Sequence, residues 1–329
     1  MKKYKLTSET ISIGGSTLYR IQALRDFPGV KAGDFGGFIA DAYNLSHDSN
    51  CWVYNNAQVY GKAWVYGNAE VYGEAQVYGS AEVCGEAKVY GNAEVYGSAE
   101  VCGEAKVYGN AEVYGNAEVC GEAKVYGNAE VYGEAVVYMK AQVYDDAHVA
   151  GKVQVYGSSR IYGESCVYEN VRIADKVHVY GDAQIFGNAQ LNGDACVGGT
   201  ASVHDNASVY DVARIYDSAD VSGDAQVFGH AQIFGHAKLG GNARVGGYTQ
   251  VDEITCLFIR DDKVSDTACL ESEPIISSNL EIGNIVTLKS GGPKMTVMDQ
   301  SDEHCTCMWF DDAGLQTIRS KKECFKEVG

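Results

Sequence analysis

Residues 81–98 read AEVCGEAKVYGNAEVYGS, residues 99–116 read AEVCGEAKVYGNAEVYGN, and residues 117–134 read AEVCGEAKVYGNAEVYGE. The text returns every eighteen residues, and each eighteen contains three units of six. In the unit Ala93-Glu94-Val95-Tyr96-Gly97-Ser98, Ala93 and Val95 are two apart and share one face of an extended strand, with Glu94 and Tyr96 on the other. Gly97-Ser98 supplies a bend, because glycine enters positive φ without a Cβ clash. An amphipathic helix needs a period of about 3.6, which a spacing of six does not supply. Each hexad is therefore expected to be a strand of about four residues and a corner. Three hexads make one coil with three sides, so residues eighteen apart stack at about 4.8 Å.

Outward from this stretch the pattern holds without an insertion. An aliphatic residue recurs at every sixth position from Val53 to Val251, usually with Ala two residues before it. The expected fold class is all-β: a triangular parallel β-helix of about eleven regular coils with a small β-barrel-like module after it. Residues 1–50 are expected to cap the open end, as terminal solenoid repeats must. Residues 51–251 form the coils, 252–279 an extended segment and linker, and 280–329 the small β domain.

The outward residues fall into columns. Tyr54, Tyr72, Tyr90, Tyr108, Tyr126, Tyr144, Tyr162 and Tyr180 form one; Tyr60, Tyr78, Tyr96, Tyr114 and Tyr132 form a second. Stacked rings zip adjacent coils, and the first column is also the candidate binding strip, since Tyr joins a large ring to a polar tip. On the third side Tyr66 is followed by Cys84, Cys102 and Cys120, then Tyr138 and Tyr156. The three thiols are expected to stack as packed side chains. Their nearly parallel Cβ vectors suit a disulfide poorly, and three sulfurs in a line do not make a metal tetrahedron, so no metal is expected. Lys88, Lys106 and Lys124 make a column that Glu86, Glu104 and Glu122, at the preceding corner, are expected to offset.

Composition narrows the partners. Among 329 residues there are 26 basic and 44 acidic side chains, a formal charge of -18. Such a surface repels nucleic acid and anionic lipid. No apolar run is long enough for a membrane span, and the Met1-Lys-Lys-Tyr start has no apolar run behind it, so a cytoplasmic protein with reduced thiols is expected despite 11 Cys. There is no phosphate-cradling Gly-rich loop ending in Lys-Ser/Thr and no nucleophile elbow. His230 and His236 lie at corners, His148 and His178 on strands, and none sits in an inserted loop. No catalytic residue and no cofactor is assigned.

The aliphatic residue with a small residue four later, over 53–251, resembles the left-handed parallel β-helix of hexapeptide-repeat proteins; the left-handed sense is implied by that resemblance alone. Val30-Lys-Ala-Gly-Asp-Phe-Gly-Gly-Phe-Ile39, Asn44-Leu-Ser46 and Cys51-Trp-Val-Tyr54 resemble the entry region of YdcK-type transferase-like β-helix proteins. Leu288–Val297 and Cys307-Met-Trp-Phe310 resemble the YodC-like small domain, which implies a compact β-module. Within it Trp309 is read as a core aromatic, with a binding aromatic as the alternative. Cys305 and Cys307, with His304 and Cys324, are read as packed rather than as a zinc site. The functional expectation is a non-enzymatic scaffold or binding protein whose partner is a protein, or a second copy of itself in a homo-oligomer, a trimer if any. Two alternatives stand beside it. One is a trimeric acyltransferase-like enzyme, which the hexapeptide-repeat resemblance implies, using a His between prisms. The other is an acidic decoy of a nucleic-acid-binding protein.

Overall fold

A computed structural model describes residues 2–252 and the strand backbone of 256–259, 269–270, 285–288, 295–300, 304–311, 314–321 and 325–327. The chain is an all-β solenoid with about eighteen residues per turn, followed by a small β-sheet. It divides into two units, 1–175 and 176–329.

The first unit begins with strands β1 (Tyr4–Ile13) and β2 (Ser16–Ala23), an antiparallel hairpin closed by Gly14 and Gly15, both at positive φ. Strand β3 (Phe35–Ile39) pairs antiparallel with β2 and parallel with Gln58–Val59, so it joins the hairpin to the first coil. Gly36 and Gly37 permit this approach: a Cβ on either would run into the backbone of Val53 or Ala57. Leu18, Ile21, Trp52 and Tyr4 are buried beneath the hairpin, which closes the apolar end of the coil stack.

Three walls then grow by one strand every eighteen residues. On the first wall Lys88 pairs with Lys106 and Lys106 with Lys124; on the second Glu94 pairs with Glu112; on the third Glu82 pairs with Glu100 and Glu100 with Glu118. All are parallel, as the three-sided reading requires. Most wall strands pair over two residues, as at Glu94–Val95, and only Lys88–Gly91 and Lys106–Gly109 reach the expected four in this unit. The corners take the rest of each hexad. Every Ala and Val of the three repeats that face inward is fully buried, so the core is one small and one branched residue per side. Where Ser replaces the Ala, at Ser159 and Ser165, the hydroxyl donates to the carbonyl three residues back, at 2.9 and 3.0 Å, which removes the penalty of a buried unpaired polar group.

Glycine at the corner answers two demands. Gly97 has φ 73°, and a Cβ there would stand 2.8 Å from the nitrogen and 2.9 Å from the oxygen of Gly115 in the next coil.

The second unit repeats the same pairing from His178↔Cys196 to Gln232↔Gln250. The coil extends past Val251. Cys256–Ile259 pairs with Lys238–Gly241 in the unbroken eighteen-residue register, with Leu257 opposite Leu239. Cys269–Leu270 then pairs with Arg244–Val245, a separation of twenty-five, which places a seven-residue insertion between these strands. The segment 252–279 thus contains two wall strands. Leu257 keeps the six-residue phase of the aliphatic positions, and this is the physical reason the wall continues.

The small sheet has five antiparallel strands. Ile285–Leu288 pairs with Met295–Gln300 and with Phe325–Glu327; His304–Asp311 lies between Met295–Gln300 and Gly314–Lys321. Trp309 stands opposite Gln316, and Cys305 and Cys307 lie two apart on one strand. Cys324 lies outside the described residues.

Candidate functional site: the ring and thiol columns

The wall register decides which outward side chains meet. On the first wall Tyr72, Tyr90, Tyr108, Tyr126, Tyr144 and Tyr162 stack in succession, with centroids 4.7–4.9 Å apart and planes within 3° of parallel. Tyr54 departs from the column: it meets Tyr72 edge-on at 6.5 Å and 88°, beside Gly29 of the cap. Tyr180 belongs to the second unit, where its ring lies over Gly198, whose missing side chain makes the space. On the second wall Tyr60, Tyr78, Tyr96, Tyr114 and Tyr132 stack at 4.8–4.9 Å.

The glutamate columns are not the bare rows of like charge that sequence spacing alone implies. Tyr78 donates its hydroxyl to Glu94, Tyr96 to Glu112 and Tyr114 to Glu130, at 2.8, 2.8 and 2.9 Å. Tyr60 donates to Gln76 and Tyr66 to Glu82 in the same way. The partner is always sixteen residues on: one full coil less the two residues that separate the outward positions flanking each Val. Burial first, and then the acceptor carboxylate, push Tyr78, Tyr96 and Tyr114 well above the ordinary tyrosine value. Tyr126 is pushed up to about 12, mainly by burial. The signal for this pairing was present in the sequence as a fixed offset, but it emerges only when ring length and coil spacing are taken together.

Columns also govern the charges and amides. Lys88 pairs with Glu70 at 2.7 Å, not with Glu86 as the sequence reading had it. Glu70 stands directly opposite Lys88 in the wall register, whereas Glu86 is turned out at the corner. Corner carboxylates find corner lysines one coil on, as Glu122–Lys140 and Glu134–Lys152 do. Asn92, Asn110 and Asn128 hand a side-chain hydrogen bond down one edge to Asp146, at 2.8–3.0 Å. That amide ladder was not foreseen.

The third wall carries the thiols. Cys84, Cys102 and Cys120 lie in line through the Glu82↔Glu100 and Glu100↔Glu118 register, as expected. The expectation that none would bond is corrected: Cys102 and Cys120 form a disulfide, their Cα atoms 4.7 Å apart, and Cys84 is a free thiol. One coil of separation falls inside the disulfide range, and rotation of the two side chains toward each other overcomes their parallel Cβ directions. Glu100 lies beside the pair; its carboxylate oxygen and the two sulfurs all lie within 4.8 Å of one another.

Three of the histidines are engaged with neighbours. His204 stacks on Phe186 at 4.6 Å, and its two ring nitrogens face Asp205 and Asp220, at 3.4 and 2.9 Å. His230 stacks on Tyr248, and His148 faces Glu130. A further polar cluster, unmarked in the sequence, lies in the cap. The buried Lys3 amine donates to the Cys51 carbonyl at 2.7 Å and to its sulfur at 3.2 Å. Burial holds Lys3 below the usual lysine range and pushes the Cys51 thiol up. These contacts tie the N-terminal strand to the first coil.

Among the described residues no helix is long and apolar enough to cross a membrane. No curated protein matches the chain. Residues 281–326 match the family described as uncharacterized small protein (DUF2158), so the five-stranded sheet, but for Glu327 at its end, falls in a DUF2158 small-protein domain.

Proposed function

We propose that the chain is a cytoplasmic, non-enzymatic scaffold that presents its tyrosine columns and acidic faces to a protein partner or to a second copy of itself, as a trimer if it self-associates. The observation that carries this reading is the unbroken run of parallel rings from Tyr72 to Tyr162. It offers a long, repeating surface of aromatic area with polar tips, the composition favoured at interface cores. The absence of any insertion between Val53 and Val251 in the sequence supports it as well, since each added coil extends the same face. The same reading takes the coil as left-handed, which the hexapeptide-repeat resemblance alone implies, and the entry as YdcK-type, with which the pairing of Phe35–Ile39 onto the first coil agrees. Trp309 would lie in the second attachment point, the DUF2158 domain.

The test replaces Tyr90, Tyr108 and Tyr126 together by Ser. Cross-linking with mass spectrometry and sedimentation equilibrium would compare this variant with the parent, with far-UV circular dichroism confirming that the coil persists. Loss of the cross-linked partner, or of self-association, is expected. Saturable binding of a CoA thioester in calorimetry would overturn the reading in favour of acyl transfer.

A further inference from the structure

The third wall breaks its ring column for three coils. Between Tyr66 and Tyr138 the ring positions are held by Cys84, Cys102 and Cys120, so Cys102 and Cys120 are only half-covered while Cys84 is buried. Glu82 beside them still accepts the Tyr66 hydroxyl, but Glu100 differs from the carboxylates elsewhere. Glu94, Glu112 and Glu130 each receive a tyrosine hydroxyl, and Glu70 receives Lys88. Glu100 instead faces the Cys84 thiol, its oxygen 4.0 Å from that sulfur. Among the described residues no lysine, arginine or histidine pairs with Glu82, Glu100 or Glu118.

Three sulfurs in a line cannot surround an ion, but Glu100 stands off that line, on the neighbouring column. Its carboxylate and the sulfurs of Cys102 and Cys120 lie within 4.8 Å of one another, a group that does not include Cys84. Ligand atoms on a tetrahedral Zn²⁺ sit about 3.6–3.8 Å from one another, given Zn–S of about 2.3 Å and Zn–O of about 2.1 Å. Once the sulfurs are reduced, small side-chain rotations therefore bring Cys102, Cys120 and Glu100 around one ion.

We propose that the reduced pair Cys102 and Cys120, with Glu100, is a binding site for a thiophilic d10 divalent cation of the Zn²⁺ and Cd²⁺ class, water completing the tetrahedron. Each thiol gives up a proton to solvent as its sulfur bonds the metal. The Cys102–Cys120 disulfide and the metal are alternative occupants of the same sulfurs. The proposal is independent of the scaffold reading, since it requires no macromolecular partner.

The full-length protein, reduced with a phosphine, would be titrated with Cd²⁺ while thiolate-to-metal charge-transfer absorption is followed, and with Zn²⁺ against a chromophoric chelator. The double variant Cys102→Ser/Cys120→Ser should lose one tight equivalent. Glu100→Gln should weaken that equivalent by at least about tenfold. Cys166→Ser/Cys196→Ser, on other columns, should change neither. Zinc-edge X-ray absorption of the loaded parent should show sulfur and oxygen together, and disulfide-form protein should lack the equivalent. Retention of the equivalent by the double variant, its presence in the disulfide form, an unchanged affinity in Glu100→Gln, or a shell without sulfur would each overturn the assignment.

Discussion

A corner residue in this coil must turn the chain and let the next corner pass close over it. Asp145, Asp205, Asp211 and Asp217 adopt the same positive φ as the glycines, at 58–60°. All four accept a hydrogen bond from the corner glycine one coil on: Asp145 from Gly163 at 3.4 Å, and Asp205 from Gly223, Asp211 from Gly229 and Asp217 from Gly235 at 2.9–3.1 Å. A short side chain with an acceptor therefore offsets part of the left-handed strain, which alanine cannot do. Gly97→Ala is expected to lower the local stability of its coils by about 1–3 kcal/mol, and Gly97→Asp by less. Hydrogen exchange of the flanking amides would read the difference, since opening in a repeat stack is local. Equal protection in the two variants would sink the idea that the aspartate acceptor matters.

A wall joins such residues through three kinds of column: rings at about one strand spacing, hydroxyls reaching a carboxylate sixteen residues on, and amides bonded along an edge. The ring columns have a consequence for pH. Burial, and the acceptor carboxylates after it, raise the folded-state values of Tyr78, Tyr96 and Tyr114, with Tyr126 at about 12. The fold therefore favours the neutral phenol. That stabilisation is fully present below the ordinary tyrosine value of about 10 and is lost as pH rises through the raised folded values. Spectrophotometric titration should show a class of tyrosines ionising after the rest, together with loss of the strand signal in circular dichroism; a single step near the ordinary value with the fold intact would refute it. The register behind these columns could be read from residues 81–134, because a buried Ala/Val pair every six fixes both the wall and the neighbour. Side-chain reach could not. Whether Lys88 finds Glu70 or Glu86, and whether Cys102 turns toward Cys120, depends on rotamers that a repeat does not encode. Lys3 and Cys51 meet across forty-eight residues with no periodic mark at all, and the second wall strand past Val251 was hidden by an insertion that breaks the phase after Leu257.

At the scale of the whole molecule, the six-residue core period and the eighteen-residue surface period are separable requirements, and deletions distinguish them. Removing 99–116 takes out one coil. Every later residue keeps its wall, Tyr96 meets Tyr132 where it met Tyr114, and each corner still faces a corner. Removing 99–104 keeps Ala and Val inward but moves every later residue to the next wall, so Tyr96 faces Cys120 in place of a ring, while Glu118 takes the place of Glu112 sixteen residues on. Removing 99–105 shifts the phase by one residue and turns Glu and Tyr toward the core, where unpaired polar groups are costly. In a stack whose stability is close to a sum over repeats and their interfaces, the eighteen-residue deletion should unfold at nearly the parent midpoint. The six-residue deletion should keep strand content but melt earlier, having lost one stacked ring pair contributing about 0.5–1.5 kcal/mol. The seven-residue deletion should fail to form coils beyond the cut. Thermal melts followed by far-UV and near-UV circular dichroism would rank the three, the near-UV band reporting the tyrosine columns. A six-residue deletion that matches the parent in both regions would mean that the surface columns add nothing to the order the core already imposes.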